Sequence, residues 1–562
     1  MTGGPTSIRS ALQDQLAALQ ARSLAARLAR LTAGTERPVV LLLDGSARNH
    51  LSGWVAAFGA ARLTILAEHE PVPHDPAAFD GVRCVVVAGR REVDEQLMLL
   101  GSCAIVVDEV AADPDKQLAR WAQFGLHVEQ GGWYVVRATE QPQAWKSRVA
   151  AVGEDIDVPT HMFMAESATR VEQAAGHLLL PKLRRHLLRV NDRDAARILP
   201  ARNPELKITT LASRPPELVT ARARVFSHGP DHVFIPQPEF EAPPLLCQWY
   251  QGEVQVRAQM LTTSGATALP PSFRHAWAKR MGNHGLQGVG RAFAELRDPM
   301  PATKLAGDYF DLNAAVSGHF GHVMTESLGR LWAWDEARRA IPGLKGLYRL
   351  PDRADRPTFE PELFKAFGLA ASDVHWATTD VALESYVSAS MPWHNGRPHH
   401  FHPEVKRVWE RLRSALVTPG QDTPQRIFVS RGHSDRGCRN QSELEDWFTE
   451  RGFAVVYPER LSLGDQATLF SNARVVAGFA GSAMFNLLFS EGLDRLVVLT
   501  HEQYVARNEW LFGACLAEEL HYFWSAPDTV AGPGVPNAES FHSTWAFDFD
   551  RFSGELEDAI AP

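Results

Sequence analysis

Two loops and one helix face carry side chains whose types and spacing suit chemistry. The first loop follows Ser430 and holds Arg431, His433, Arg436 and Arg439. The second is Gly478-Phe479-Ala480-Gly481-Ser482, which opens into a helix. Backbone N–H groups at such a helix start suit a phosphate, and arginines add forked, charge-assisted hydrogen bonds. Read alone, the same GxxGS is equally a tight strand–helix turn. The helix face is His322, Glu326 and Arg330, at i, i+4 and i+8, with Gly329 leaving room beside it. A His or a carboxylate there can take a proton from a substrate. The competing reading is a solvated, salt-bridged face.

These residues need elements to hold them. From Arg426 to Thr500, short apolar runs alternate with helix-period segments. The pattern predicts strands at 426–430, 453–457, 474–478 and 495–500, with helices at 441–451, 463–472 and 483–490. Such alternation implies a parallel sheet covered on both faces, with both loops at the carboxyl ends of its strands. The spacing Asn440…Glu443 predicts a capping box. A helix from His322 places Val323, Met324, Leu328, Leu331, Trp332 and Trp334 on one apolar arc.

The stretch from Ser430-Arg431 through Arg436 and Asn440 to RGFAVVYPERLSLGDQATLFSNARVVAGFAGSAMFNLLF resembles the glycosyltransferase 61 family. Gly478, Gly481, Ser482, Met484 and Asn486 match that family's glycine-rich element, with Ala480 where many members have His. Gly318–Trp334 is similar to a second family element that faces the cleft. The resemblance covers residues 200–530 and is strongest over the last hundred. It implies a GT-B-like pair of Rossmann-like lobes, α/β throughout. It further implies an inverting hexosyl- or pentosyltransferase that moves a sugar from a nucleotide-diphosphate donor to a glycan or other hydroxyl acceptor.

In that reading Ser430, Arg431, Arg436, Arg439, Gly478, Gly481, Ser482 and Asn486 hold the donor. Glu326 or His322 is the base, and His319, Arg330 and His394 lie on the acceptor side. Arginines and a helix terminus can replace a cation at a diphosphate, so neither metal nor other cofactor is expected. A sugar-nucleotide or glycan-binding protein that kept the fold without the chemistry is the alternative, and Ala480 is its support.

The remaining composition sets bounds. At 562 residues the chain is long for one domain. With 45% hydrophobic and 22% charged residues it reads as a soluble globular protein. A formal net charge of −9 argues against a nucleic-acid binder. Five scattered cysteines with no CxxC pair favour a reducing compartment. No secretion signal and no run of 18 apolar residues is seen, so a cytoplasmic protein is expected; taken with the family resemblance, this implies a bacterial-type enzyme building surface polysaccharide.

The chain in order divides as follows. Residues 1–36 form an amphipathic helix, with leucines at 12, 16, 19, 24, 28 and 31, that packs on its own domain or on a partner copy. Membrane contact through Arg22, Arg27 and Arg30 is the lesser reading. Residues 37–140 form a Rossmann-like accessory module. Asp44-Gly45-Ser46 follows its first strand in place of GxGxxG, which argues for a degenerate, structural or partner-binding module over a dehydrogenase or methyltransferase. Residues 141–203 read as a helical linker, and its Asp192-Arg193-Asp194 sits in a helical context. Residues 204–300 are a β-rich lead-in, 301–418 the acceptor-side lobe, and 419–562 the nucleotide-sugar lobe, with a helical tail at 508–524 crossing back. His394, His399, His400 and His402 crowd one Pro/Gly-broken loop, which fixes no metal-ligand spacing.

Overall fold

The computed structural model describes residues 5–43, 51–69, 80–110, 113–151, 158–258, 260–275, 281–290, 293–297, 301–352, 354–432, 436–532 and 537–561. The chain forms two compact units. One is Met1–Ile208, Thr262–Pro270 and Ala278–Met300; the other is Thr209–Leu261, Pro271–Trp277 and Pro301–Pro562.

In the first unit, seven strands run in the order Arg83–Val86, Leu63–Ala67, Val39–Leu43, Cys103–Asp108, Val128–Arg137, His177–Pro181, Glu172–Ala174. The first five are parallel; His177–Pro181 is antiparallel to both its neighbours. Side chains alternate between two cores, as the pleat requires. Val40, Leu42, Val106 and Val136 meet Leu97, Trp121, Trp145 and Phe163 on one face. Val39, Leu41, Ile105 and Val107 meet Leu24, Leu28, Trp54 and Phe58 on the other. The leucine stripe of the helix Pro5–Leu31 is therefore divided: Leu24 and Leu28 are buried, whereas Leu16 and Leu19 are exposed.

The stretch expected to be a basic helical linker is different. After helices Pro142–Ala151 and Val158–Ala168 it forms the strands Glu172–Ala174, His177–Pro181 and Leu187–Arg189. Leu178, Leu179 and Leu180 are all buried, consecutive residues going to opposite faces. A short apolar run has no period that separates strand from helix. After these strands Asp192–Arg202 is helical again, and the Asp-Arg-Asp tripeptide opens it.

The second unit holds two large sheets, beside two small two-stranded ones. Six strands, all parallel, run in the order Arg224–His228, Ala517–Ser525, Leu493–His501, Val475–Phe479, Arg426–Val429, Ala454–Val456. The other sheet places Leu245–Val256 antiparallel to Val381–Ala389. The parallel strands Thr303–Asp311, Lys345–Arg349 and Val374–Ala377 follow. The lead-in thus supplies an edge strand to one sheet and a strand to the other. Within this lead-in His232–Ile235 forms no strand. One continuous core, from Phe310 and Trp334 through Trp393 and Trp409 to Leu496 and Tyr522, runs beneath both sheets.

The tail read as helical is a helix only over Asn508–Leu516; Ala517–Ser525 is a strand. Phe512 of this helix packs against Trp393 and Trp409. The last helix, Phe549–Ile560, buries Phe552 and Leu556 with Phe428 and Phe523 of the six-stranded sheet.

Candidate active site

The tips of Arg426–Val429 and Val475–Phe479 lie side by side, because these strands are parallel neighbours in register Val429↔Gly478. This joins the two loops. Gly478 belongs to the packing: a Cβ there would lie 2.6 Å from the Val429 carbonyl oxygen. Gly481 turns the chain at φ 143°, and a Cβ on it would lie 3.1 Å from an Arg436 guanidinium nitrogen. The positive φ favours glycine there, and any side chain would also push the guanidinium back by a few tenths of an ångström.

Facing them is the helical run that starts at Phe320. Gly318, at φ 76°, turns the chain against Pro351 just before it. Val323–Ser327 forms one widened π-type turn, a feature that recurs at functional sites. Gly321 seats this run against the ring of Phe485 on the helical segment Ser482–Phe489. The approach brings His319 Nε2 to 3.3 Å from Ser482 Oγ.

Between the two lies a cavity of ≈ 420 Å³. One wall carries His319, His322, Thr325 and Arg274; the other carries Arg436, Gly481, Ser482, Tyr504, Asn508 and Phe541. Arg436, itself at φ 52°, spreads its guanidinium over the rings of Tyr504 and Phe541, at 5.6 and 5.3 Å. A cation so held is preorganised for an anion.

Glu326 lies behind the first wall, 1% exposed. Its Oε1 meets His322 Nδ1 at 2.8 Å and Arg274 Nε at 2.6 Å, and its Oε2 accepts the Ala315 N–H at 2.7 Å. Burial pushes its carboxyl upward, but Arg274, His322 and the Ala315 amide together hold it far below the usual carboxylate range. An ionised carboxylate only accepts hydrogen bonds, so His322 carries a proton on Nδ1, and Nε2 is the nitrogen left for a substrate. Burial, His322 and Arg436 push the His319 imidazole down.

The residues expected at the site separate into two groups. His319, His322, Arg436, Gly481 and Ser482 line the cavity. The others are placed elsewhere or tied up. Ser430 Oγ bonds Glu445 and accepts from Gln441 Nε2. Arg431 is buried and donates to the Ala480 carbonyl at 2.8 Å, so it braces the glycine loop. Arg439 pairs with Asp528. Asn486 is buried, donating to the Ala483 carbonyl. Arg330 is buried against Asp311 and the Asn313 carbonyl. His394 is buried, its Nδ1 3.0 Å from the Pro398 carbonyl oxygen, and burial pushes it down to about 2.

The Gly481 amide, expected bare, donates to Glu509 Oε1 at 2.9 Å. Asn440 forms no cap; it brackets the Phe547 backbone with Nδ2 and Oδ1. Glu459 accepts the Gly432 N–H at 2.7 Å, anchoring the arginine loop. His433 lies outside the described residues.

Sequence reasoning missed Arg274, Tyr504, Asn508 and Phe541. They sit on segments that carry no motif and reach the cavity through the fold. Among the described residues, no three His, Cys, Asp or Glu side chains are grouped to hold a metal ion, and no helix is long and apolar enough to cross a membrane.

Residues 320–496 match the family model described as Glycosyltransferase 61. This stretch belongs to glycosyltransferase 61. The family is one of glycosyltransferases, and its matched stretch takes in His322, Glu326, Arg436, Gly481 and Ser482. Arg274, Tyr504, Asn508 and Phe541 add to the glycosyltransferase 61 stretch from outside it. No curated protein matches the chain.

Among solved structures, the MycE methyltransferase of the mycinamycin biosynthetic pathway, with Mg and SAH, is 18% identical. It covers 26% of this chain and 42% of its own, with a TM-score of 0.19. A geranyl diphosphate methyltransferase with GPP and sinefungin is 14% identical over 28% of this chain and 75% of its own, with a TM-score of 0.14. The chain spans less than half the length of the first of these.

Proposed function

We propose that the chain is an inverting glycosyltransferase of GT-B type. It moves a sugar from a nucleotide-diphosphate donor to a hydroxyl acceptor, in the synthesis of a surface polysaccharide. The observation that carries this reading is the pairing of His322 with Glu326 across a cavity from Arg436. Inversion needs a base on the acceptor hydroxyl and positive charge on the departing diphosphate. Glu326 has both oxygens occupied, so it orients the imidazole and His322 Nε2 takes the proton. Arg436, with the Gly481-Ser482 turn, receives the diphosphate. The acceptor oxygen attacks the anomeric carbon as the bond to the diphosphate oxygen breaks; the acceptor's proton ends on His322, and the electron pair on the diphosphate.

The test is a panel of nucleotide-diphosphate sugars scored for hydrolysis and transfer, with His322→Ala beside the wild type. Turnover is expected to fall about 10²–10⁴-fold while nucleotide binding persists. Unchanged turnover in the variant overturns the assignment.

The second reading, a sugar-nucleotide or glycan-binding protein without turnover, draws on the occupied Gly481 amide and on Ala480 in place of His. Binding of one nucleotide-diphosphate sugar with no turnover by the wild type, over a panel of hydroxyl acceptors, favours it.

A further inference from the structure

Arg274 comes from a segment far from both family elements, yet it reaches the centre of the site. Its Nε lies 2.6 Å from Glu326 Oε1, the same oxygen that His322 Nδ1 meets at 2.8 Å. Its far end is fixed by a hydrogen bond from one terminal nitrogen to Asn395 Oδ1, at 3.1 Å. The side chain is about one-third exposed and lines the cavity. One oxygen thus meets a hydrogen-bonding imidazole and an ion-paired guanidinium, and the two divide its charge. A carboxylate given wholly to an imidazole makes that imidazole a strong base that stays protonated, and a protonated base cannot accept the proton of a hydroxyl.

We propose that Arg274 is the positioning residue that sets the basicity of His322, by holding the single oxygen of Glu326 that both share. The inference rests on the reading of His322 as the base, and names what tunes it. Among the described residues, four groups are placed toward the imidazole. Glu326 is on its own helical run, and His319 lies one turn before, with ring centroids 5.0 Å apart. Arg274 arrives from the 271–277 segment, and Arg436 from the arginine loop across the cavity. Of the two cations, Arg274 alone touches the shared carboxylate. Losing it removes repulsion on the imidazolium and returns the full carboxylate charge to His322. Both effects act in one direction, upward.

The test needs no substrate. The full chain, with isotope-labelled histidine, is titrated by NMR as wild type, Arg274→Met and Arg274→Lys, the His322 resonance being assigned with His322→Ala. The His322 midpoint is expected to rise by about one pH unit in Arg274→Met and to stay near wild type in Arg274→Lys, which keeps the charge. A midpoint that does not move, or falls, in Arg274→Met overturns the proposal. If that variant does not fold, Asn395→Ala decides in its place. It frees the far end of Arg274 and is expected to raise the midpoint by a smaller amount; no rise there has the same consequence. Because the readout is a titration, failure here leaves the assignment of His322 as the base to its own turnover test.

Discussion

Gly321 and Phe485 touch with no room for a methyl group between them: a Cβ on Gly321 would lie 2.9 Å from the ring edge. Phe485 is itself 6% exposed and packs edge-on against Phe512, so the ring has little space to yield. The approach of the two runs that wall the cavity is therefore fixed at this contact. Gly321→Ala is expected to cost about 1–3 kcal/mol in urea unfolding. It should also lower turnover more than nucleotide binding, because it displaces His322 from Arg436.

Arg436 is the cation at the glycine turn, and its planar head lies over two rings. Lysine has neither the fork nor the stacking face. Arg436→Lys is expected to weaken binding of a nucleoside diphosphate about 10–100-fold by calorimetry, worth about 1.4–2.8 kcal/mol. With arginine and the Gly481-Ser482 turn receiving the diphosphate, turnover in excess EDTA is expected to equal that with Mg or Mn added.

Glu326 is held ionised well below its ordinary range. A carboxyl depressed on folding adds stability above its unfolded pKa, about 4.3, and that contribution is lost as pH falls toward the folded value. Wild-type stability is therefore expected to drop between pH 6 and pH 3 more steeply than that of Glu326→Gln, as read from urea midpoints across the range. A parallel fall in both proteins contradicts this.

The first unit has its own buried pair. Asp108 Oδ2 takes Arg120 Nε at 2.6 Å and the Tyr134 hydroxyl at 2.7 Å. Asp108→Ala strands a buried guanidinium and is expected to cost about 3–5 kcal/mol. Tyr134→Phe loses one hydrogen bond of the same oxygen and is expected to cost about 1–3 kcal/mol. Urea unfolding of both variants gives the order.

The strands at 426–500 were legible because their apolar runs are short, bounded and separated by helix-period segments, so local pattern and final sheet agree. The strand at His177–Pro181 was not, since its three leucines fit a buried helix as well. The same holds for Ala517–Ser525, where a continuous apolar and aromatic run follows a true helix. Partners of the fixed side chains were equally hidden. Arg431 and Arg436 sit five residues apart in one loop, yet one braces Ala480 from a buried position while the other lines the cavity.

The sequence alone determined that the chain is α/β, that two strand tips carry arginines and glycines, and that His322 and Glu326 share a helix face. Those properties depend on neighbours within a few turns, where periodicity and residue type act directly. The tertiary structure decided which of these groups remain available. Glu509, twenty-eight residues on, takes the Gly481 amide; Arg274, fifty-two residues back, takes the Glu326 oxygen. A buried polar group must find a partner, and long-range packing alone selects which one.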